Sequence, residues 1–216
     1  MPVASGSSAS ALRARIESRL RGTQPGGDPL EAFLRGLPAE RHDALRHAIP
    51  TTLTDAAVLV PIVERPAGLT VLLTLRASHL KNHGGQVSFP GGRVEPGDAG
   101  PWATALRETR EEIGLAPDYV THAGYLADHM VISGFRITPV VGFVRPGFEL
   151  RLDRTEVEDA FEVPLEFILD RANHVPRDRH YHGVTIVTYD IPWNDRQIWG
   201  ATANMLVTLG RVVGGE

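Results

Sequence analysis

Three glutamates occur at close helical spacing near the middle of the chain, at Glu108, Glu111 and Glu112. Successive residues of a helix are separated by about 100°, so side chains at i, i+3 and i+4 lie on one side. Like charges at this spacing repel one another and destabilise the helix, so the pattern indicates a positive partner. Hard carboxylate oxygens suit Mg²⁺ or Mn²⁺, which can polarise a phosphate and activate water. The residues also leave open a solvated acidic face that Arg107 and Arg110 would neutralise without metal.

A glycine-rich loop leads directly into this acidic segment. In Pro90-Gly91-Gly92 the missing Cβ atoms allow the backbone to approach a ligand closely. We therefore expect the backbone groups of Gly91 and Gly92 to lie where a metal or a phosphate binds. A glycine loop next to an acidic helix favours the metal-and-phosphate interpretation over the solvated face.

The acidic helix itself is predicted over residues 101–113. Pro101 suits the first helical position, and Gly114 suits the left-handed conformation just past a helix end. A buried face is predicted from four residues that recur at helical spacing: Trp102, Leu106, Thr109 and Ile113. The glutamates are expected on the other side.

The remaining pattern predicts a mixed sheet packed between helices. β-type runs, the first two of them a hairpin, lie at 56–64, 69–76, 86–89, 122–128, 136–144, 156–163 and 183–191. Pro139 predicts that its strand is at an edge or contains a bulge. The polar segment 174–182 is predicted to be an exposed loop. Helices are predicted at 9–22, from Pro29 onward, at 39–48, 165–171 and 201–212.

We expect two parts in the chain. Residues 1–50 form an N-terminal tail and helical extension, with Asp28 as the cap of its second helix. Residues 51–216 form the catalytic domain. The extension is expected to pack either on this domain or on a second subunit, which would give a homodimer.

Composition excludes several classes of function. The chain has 216 residues, a net charge of −4 and no cysteine. No broad basic surface for nucleic acid is expected, and disulfides and thiolate metal ligands are excluded. No apolar run approaches the roughly 20 residues of a membrane span. We expect a cytoplasmic protein with neither nucleic acid nor membrane as a partner.

The acidic helix carries a family resemblance. Residues 107–115, RETREEIGL, resemble the second half of the Nudix box, Arg-Glu-apolar-x-Glu-Glu-x-Gly-apolar, with Thr109 at the usually apolar place. Upstream, Asp98 stands where the pattern has Glu, and one extra residue separates it from Arg107. The resemblance to Nudix hydrolases implies an α/β/α sandwich with a mixed sheet, whereas periodicity alone gives only mixed α and β.

A second resemblance lies just upstream of the first. Residues 72–92, LLTLRASHLKNHGGQVSFPGG, resemble the segment that distinguishes coenzyme A pyrophosphatases among Nudix proteins. Lys81 stands where that pattern usually has Arg, which keeps the charge but loses the bidentate fork. Residues 198–203, IWGATA, also resemble the C-terminal part of this subgroup.

These resemblances imply metal-dependent cleavage of coenzyme A, or of a derivative, into 3′,5′-ADP and 4′-phosphopantetheine. They imply that Glu108 and Glu112 bind Mg²⁺ or Mn²⁺, that Glu111 is a ligand or the base, and that Arg107 orients the glutamates. Because Nudix proteins often use a further acid, Glu156 is the expected additional ligand.

Two more candidates follow from the same resemblance and from the substrate it implies. Arg76 and Lys81 are the expected cations for the 3′-phosphate of coenzyme A. Glu158 is a weaker alternative to Glu156, and either acid could instead be solvated at a strand edge.

Other functions stay open at this stage. One is cleavage of ADP-ribose or another dinucleotide, which lacks the 3′-phosphate. Another is a noncatalytic nucleotide-binding module, because a fold does not determine a function. The complete glutamate set favours an enzyme over a binding module.

Overall fold

A computed structural model describes residues 5–35, 38–43, 46, 50, 52–80, 83–131, 134–181 and 184–215. The helices in chain order are α1 (Ser5–Leu20), α2 (Pro29–Arg35), α3 (Pro101–Ile113), α4 (Leu165–Leu169) and α5 (Gly200–Gly214). The strands are β1 (Thr54–Arg65), β2 (Gly68–Arg76), β3 (Val87–Ser88), β4 (Gly91–Arg93), β5 (Val120–Tyr125), β6 (His129–Val131), β7 (Phe135–Val144), β8 (Val157–Pro164), β9 (Val175–Tyr181), β10 (Val184–Trp193) and β11 (Arg196–Trp199).

The larger sheet is mixed, as predicted. In the described part of the chain eight strands join it, and β3-β2-β1-β7-β5 is its main path. The pair β1–β7 is parallel, whereas β1 pairs antiparallel with β2 as the predicted hairpin. The short strand β4 pairs with the first half of β1 and thereby places the glycine loop against the centre of the sheet.

The central strand β1 is buried on both faces because it is apolar almost throughout. Eight consecutive residues, 56–63, are buried, which agrees with the prediction from its continuous apolar run. One face of the sheet packs with α1 and α5, and the other packs with α3. The predicted α/β/α sandwich is confirmed.

The prediction for Pro139 is wrong in one respect, because β7 is not an edge strand. Pro139 pairs with Val58 of β1, and β7 lies between β1 and β5. Its carbonyl accepts a hydrogen bond from the amide of Leu126, which lies in the gap between β5 and β6. The proline nitrogen faces the same gap, so its missing N–H removes no ladder hydrogen bond.

The prediction of an exposed loop at 174–182 is also wrong. Residues 175–181 form β9, which pairs antiparallel with β10. Together with β11 they make a second, three-stranded sheet. The strand has no apolar pattern in its sequence because one face of a small outer sheet tolerates polar residues. Its formation depends instead on pairing with β10.

The N-terminal helices are confirmed where the structure describes them. The amide of Leu30 donates to the Asp28 carboxylate over 2.9 Å, which is the predicted cap of α2. Of the helix predicted at 39–48, residues 39–41 form a 3₁₀ turn, and part of the remainder lies outside the described residues. Among the described helices, none is long and apolar enough to cross a membrane.

The first helix packs on the larger sheet and on α5. Ile16 and Leu20 are almost completely buried in the core cluster that also contains α5. Arg13 pairs with Glu64 of β1 and lies over the ring of Phe143. The predicted boundary between residues 50 and 51 stays a prediction, but α1 shares one core with the sheet.

We expect Ile16→Ala to lower the free energy of unfolding by about 2–5 kcal/mol, because it leaves a cavity in this shared core. Urea denaturation of the full chain measures the change. Arg15→Ala alters an exposed neighbour and should change stability by less than about 0.5 kcal/mol. Equal effects of the two substitutions would show that α1 contributes nothing specific to the core.

Candidate active site

The acidic helix α3 forms as its sequence predicts. Pro101 begins it, and Gly114 ends it in the left-handed conformation with φ of 71°. The amide of Gly114 donates to the carbonyl of Arg110 over 3.0 Å and closes the last turn.

Of the predicted buried face, Thr109 and Ile113 are buried, whereas Trp102 and Leu106 are only half-buried. The expectation that all three glutamates lie on the other side is wrong for Glu112, which is buried with Thr109 and Ile113.

The three glutamates of α3 have different environments. The side chain of Glu112 is 5% exposed and that of Glu108 is 16% exposed, whereas Glu111 is 60% exposed. Glu108 and Glu112, one helical turn apart, both lie against the glycine strand β4. The structure therefore brings two of the three predicted carboxylates together and leaves Glu111 at the surface.

The two glycines of β4 allow this close approach. The amide of Gly91 donates to the Glu112 carboxylate over 3.0 Å. A Cβ atom on Gly91 would lie 2.4 Å from the carbonyl oxygen of Ala57. A Cβ atom on Gly92 would lie 2.4 to 2.5 Å from the carboxyl atoms of Glu108. A side chain at position 92 would therefore displace Glu108, and a side chain at position 91 would meet the backbone of β1.

Arg107 joins the glycine-rich loop to the helix. Its guanidinium donates to both carboxylate oxygens of Asp98, at 3.0 and 2.9 Å. It also donates to Glu108 over 3.0 Å and to Glu111 over 3.1 Å. Thr104 donates to Asp98 over 2.8 Å. The acid that departs from the Nudix pattern in type and spacing thus still contacts Arg107.

These contacts stabilise the charged forms of the pair. The hydrogen bonds from Arg107 hold the pKa of Asp98 far below its usual range. The pKa of Arg107 is raised in turn, chiefly by its hydrogen bonds to Asp98. Arg107 therefore stays charged and bonded to the loop at every relevant pH.

Burial raises the pKa of Glu108 and Glu112, the two inner glutamates, and so favours their uncharged forms. Desolvation raises the pKa of Glu112 to about 8, against the opposing hydrogen bond from Gly91 and the charge of Arg76. The pKa of Glu108 is raised mainly by desolvation, and its contacts with Arg107 oppose the shift. Burial therefore favours the protonated form of both carboxyl groups when no cation is bound.

The loop before β8 supplies a further acid. The charge of Glu156 is the smallest of the contributions that affect the pKa of Glu108 and of Glu112, which indicates that Glu156 lies near these two glutamates. Its carbonyl accepts a hydrogen bond from Ala77 over 2.8 Å. Glu158 instead accepts one from the amide of Ser78 over 3.2 Å. Of the two acids proposed from the sequence, Glu156 is the one near the inner glutamates.

The predicted cations are placed in part. A guanidinium nitrogen of Arg76 lies 3.8 Å from a carboxylate oxygen of Glu112. Lys81 lies outside the described residues. Arg76 therefore borders the acidic site, and its predicted contact with a 3′-phosphate stays a prediction.

The candidate ligands are of the right chemical type for a divalent cation, but their side chains are not arranged around one point. Within the described residues, no group of three His, Asp or Glu side chains surrounds a common point. Glu108 and Glu111 are instead paired with Arg107. However, all candidate ligands are oxygens, and the charge of the two buried glutamates is only partly compensated. Mg²⁺ or Mn²⁺ would be held by Glu108 and Glu112, with Glu111 and Glu156 available to complete the shell.

A cavity that the sequence did not indicate opens beside this acidic cluster. It has a volume of about 330 Å³, and Arg76 belongs to its wall. Phe89 is 3% exposed and also borders the cavity. Trp199 and Met205 supply another part of the wall from more than a hundred residues further along the chain. No short motif could have revealed this convergence.

Comparisons of the sequence and of the structure with known proteins all find Nudix proteins. A family model described as the NUDIX domain matches residues 53–182. An uncharacterized Nudix hydrolase NudL from Salmonella paratyphi B is 42% identical over 162 residues, which cover 74% of this chain and 83% of that protein. A MutT/nudix family protein from Enterococcus faecalis superposes with a TM-score of 0.50 at 16% identity, over 86% of this chain and 73% of that one. This last likeness concerns the fold alone.

The raised pKa of Glu112 predicts a pH dependence of stability in metal-free protein. The folded state keeps a proton that the unfolded state, with a pKa of 4.5, releases. Stability should therefore be greatest below pH 4.5 and decline as the pH rises to about 8. We expect Glu112→Gln to remove a decline on the order of a few kcal/mol. Urea denaturation from pH 5 to pH 9 in EDTA measures it. Glu111→Gln, at an exposed position, should keep the wild-type slope, and an unaltered slope in Glu112→Gln would contradict the assignment.

The close approach at Gly92 predicts a second effect. Gly92→Ala should displace the Glu108 carboxylate and weaken Mn²⁺ binding by about 10- to 100-fold, as for other changes that misorient metal ligands. Titration calorimetry measures the affinity. Gly97→Ala is the matched control, because a Cβ atom at Gly97 meets nothing within 4 Å. Equal affinities in the two variants would show that Glu108 does not hold the ion.

Proposed function

The chain belongs to the NUDIX domain family, and from that premise we propose that it hydrolyses the diphosphate of coenzyme A or of a coenzyme A derivative. As a Nudix hydrolase it acts on nucleoside diphosphate derivatives with the help of divalent metal ions. The products would be 3′,5′-ADP and 4′-phosphopantetheine, or its acyl form. Water would add to one phosphorus as the bridging P–O bond breaks.

One observation carries the choice of substrate. Arg76, which lies in the segment that resembles coenzyme A pyrophosphatases, is 3.8 Å from Glu112 and also borders the apolar cavity. A diphosphate near Glu112 would thus have a cation beside it and an apolar site next to it. A coenzyme A derivative combines these properties, since its charged diphosphate is joined to a long, uncharged arm with branched and alkyl carbons between its amide groups.

The residues of the site would share the work. Mg²⁺ or Mn²⁺, when bound, supplies charge neutralisation and lowers the pKa of water. Glu108 and Glu112 would hold the ion. Glu111, exposed and paired with Arg107, would serve as a further ligand or accept the proton of the attacking water. Arg107 acts as a positioning residue, because it holds Glu108 and the loop acid Asp98 in one network. Glu156 would complete the acidic shell.

The proposal predicts release of 3′,5′-ADP from coenzyme A with Mg²⁺ or Mn²⁺, measured by chromatography. Glu108→Gln should lower kcat/KM at least about 100-fold, since even changes around a metal ligand cost 10- to 100-fold. Glu158→Gln is the matched control and should keep near wild-type activity, because Glu158 contacts the Ser78 amide instead of the inner glutamates.

A substrate panel decides between coenzyme A and the alternatives. Dephospho-coenzyme A and ADP-ribose lack the 3′-phosphate, so comparable rates on all three would contradict recognition of that group. Turnover of ADP-ribose without turnover of coenzyme A would replace the proposed substrate. Calorimetric binding of a nucleotide without turnover under any metal condition would indicate a noncatalytic module.

A further inference from the structure

The cavity beside Arg76 has the properties of a ligand site. Its volume of about 330 Å³ lies within the range of small-molecule pockets. It adjoins the acidic cluster at Arg76, which borders the cavity and whose guanidinium lies 3.8 Å from Glu112. An occupant of the cavity would therefore be attached to, or lie close to, a phosphate at the acidic site.

The wall of this cavity is mostly apolar and comes from both sheets. Its apolar side chains include Val58, Phe89, Phe135, Ile137, Trp199 and Met205. Trp199 and Met205 follow the 53–182 segment that the family model matches. The cavity thus combines residues of the shared domain with residues of the C-terminal segment.

The polar side chains of the wall already have partners. The hydroxyl of Ser88 bonds with that of Thr74 over 3.0 Å. The hydroxyl of Thr202 donates to the carbonyl of Val87 over 3.0 Å. A ring nitrogen of His83 bonds with Gln86, also over 3.0 Å. A nucleobase buried here would need matching donors and acceptors along its edge, and an unmatched buried polar edge is costly. The wall therefore favours an occupant that presents alkyl carbons along much of its length over a flat ring with a continuous polar edge.

Trp199 is held in place by a cation–π contact with Arg179. The guanidinium of Arg179 lies over its indole ring, 4.7 Å from the ring centroid. Arg179 donates to the buried carboxylate of Asp190 over 3.1 Å. Gln197 also donates to Asp190, over 2.8 Å. This network fixes the indole before a ligand arrives, so binding would cost little ordering of the wall.

We propose that this cavity binds the pantetheine arm of the substrate, with its branched and alkyl carbons against Trp199 and Met205. The inference rests on the proposed function. Arg76 at the junction would contact the phosphate that carries this arm. The nucleoside 3′,5′-diphosphate half lies outside the cavity, where its polar edges stay hydrated.

The two products of the reaction test this orientation separately, because each represents one half of the substrate and neither is cleaved further. We expect Ala201→Leu, which fills the cavity, and Trp199→Ala, which removes part of its wall, to weaken binding of 4′-phosphopantetheine about tenfold or more. Loss of one buried methylene contact costs about fourfold in affinity. Binding of 3′,5′-ADP should stay at the wild-type affinity. Titration calorimetry of the full chain with Mg²⁺ present measures both.

Two control variants lie outside the cavity. Trp193→Ala removes an indole that packs on Phe167, and Val187→Leu enlarges a side chain that is 56% exposed. Both should leave the two affinities unchanged, and retained 3′,5′-ADP binding shows that each cavity variant is folded. Weaker 3′,5′-ADP binding in the cavity variants, with 4′-phosphopantetheine unaffected, would place the nucleoside in the cavity and overturn the proposal.

The same measurements separate this proposal from the proposed function. A wild-type protein that hydrolyses coenzyme A, with both product affinities unaltered by the cavity variants, overturns the orientation and leaves the function standing. A wild-type protein that neither hydrolyses coenzyme A nor binds either product overturns both.

Discussion

The whole site depends on the close contact between the glycine strand β4 and the acidic helix α3. Two glutamates are buried there because glycines at 91 and 92 leave room for their carboxylates against the sheet. Burial of a charged carboxylate is unfavourable, and the pKa of Glu112 is raised chiefly by this desolvation, with smaller contributions from the charges of Glu108 and Glu156. The cost is tolerated because the helix is anchored by its apolar face on β1, which is itself buried on both sides.

Arginines on two sides of the acidic pair limit this charge without cancelling it. Arg107 is bonded to Asp98 and reaches Glu108 from the loop side, whereas Arg76 lies near Glu112 at the end of β2. The residual negative charge is what a divalent cation would offset. Arg76 also borders the cavity that the C-terminal segment completes, so the acidic site and the cavity share one side chain. The second sheet thereby contributes Trp199 to the wall of this cavity.

Much of the fold could be predicted because local signals agreed with tertiary context. Pro101 and Gly114 defined the acidic helix, and the apolar run of β1 indicated a strand buried on both faces. Prediction failed where the deciding partner was distant. Pro139 lies in an interior strand because a gap between β5 and β6 faces its nitrogen. The charged segment 175–181 is a strand because β10 supplies its hydrogen bonds.

The sequence by itself determined the chemistry: the carboxylates, the glycines beside them and the family resemblance, all within one short stretch where spacing along the chain sets spacing in space. Only the tertiary structure decided which carboxylates are buried, that Glu156 lies near them and Glu158 does not, and that an apolar cavity adjoins them. Burial depends on residues far apart in the chain, such as Phe89 and Trp199, which no local periodicity relates. Helical geometry can be derived from neighbours, but the shape of a cavity can be derived only from the packing of the whole chain.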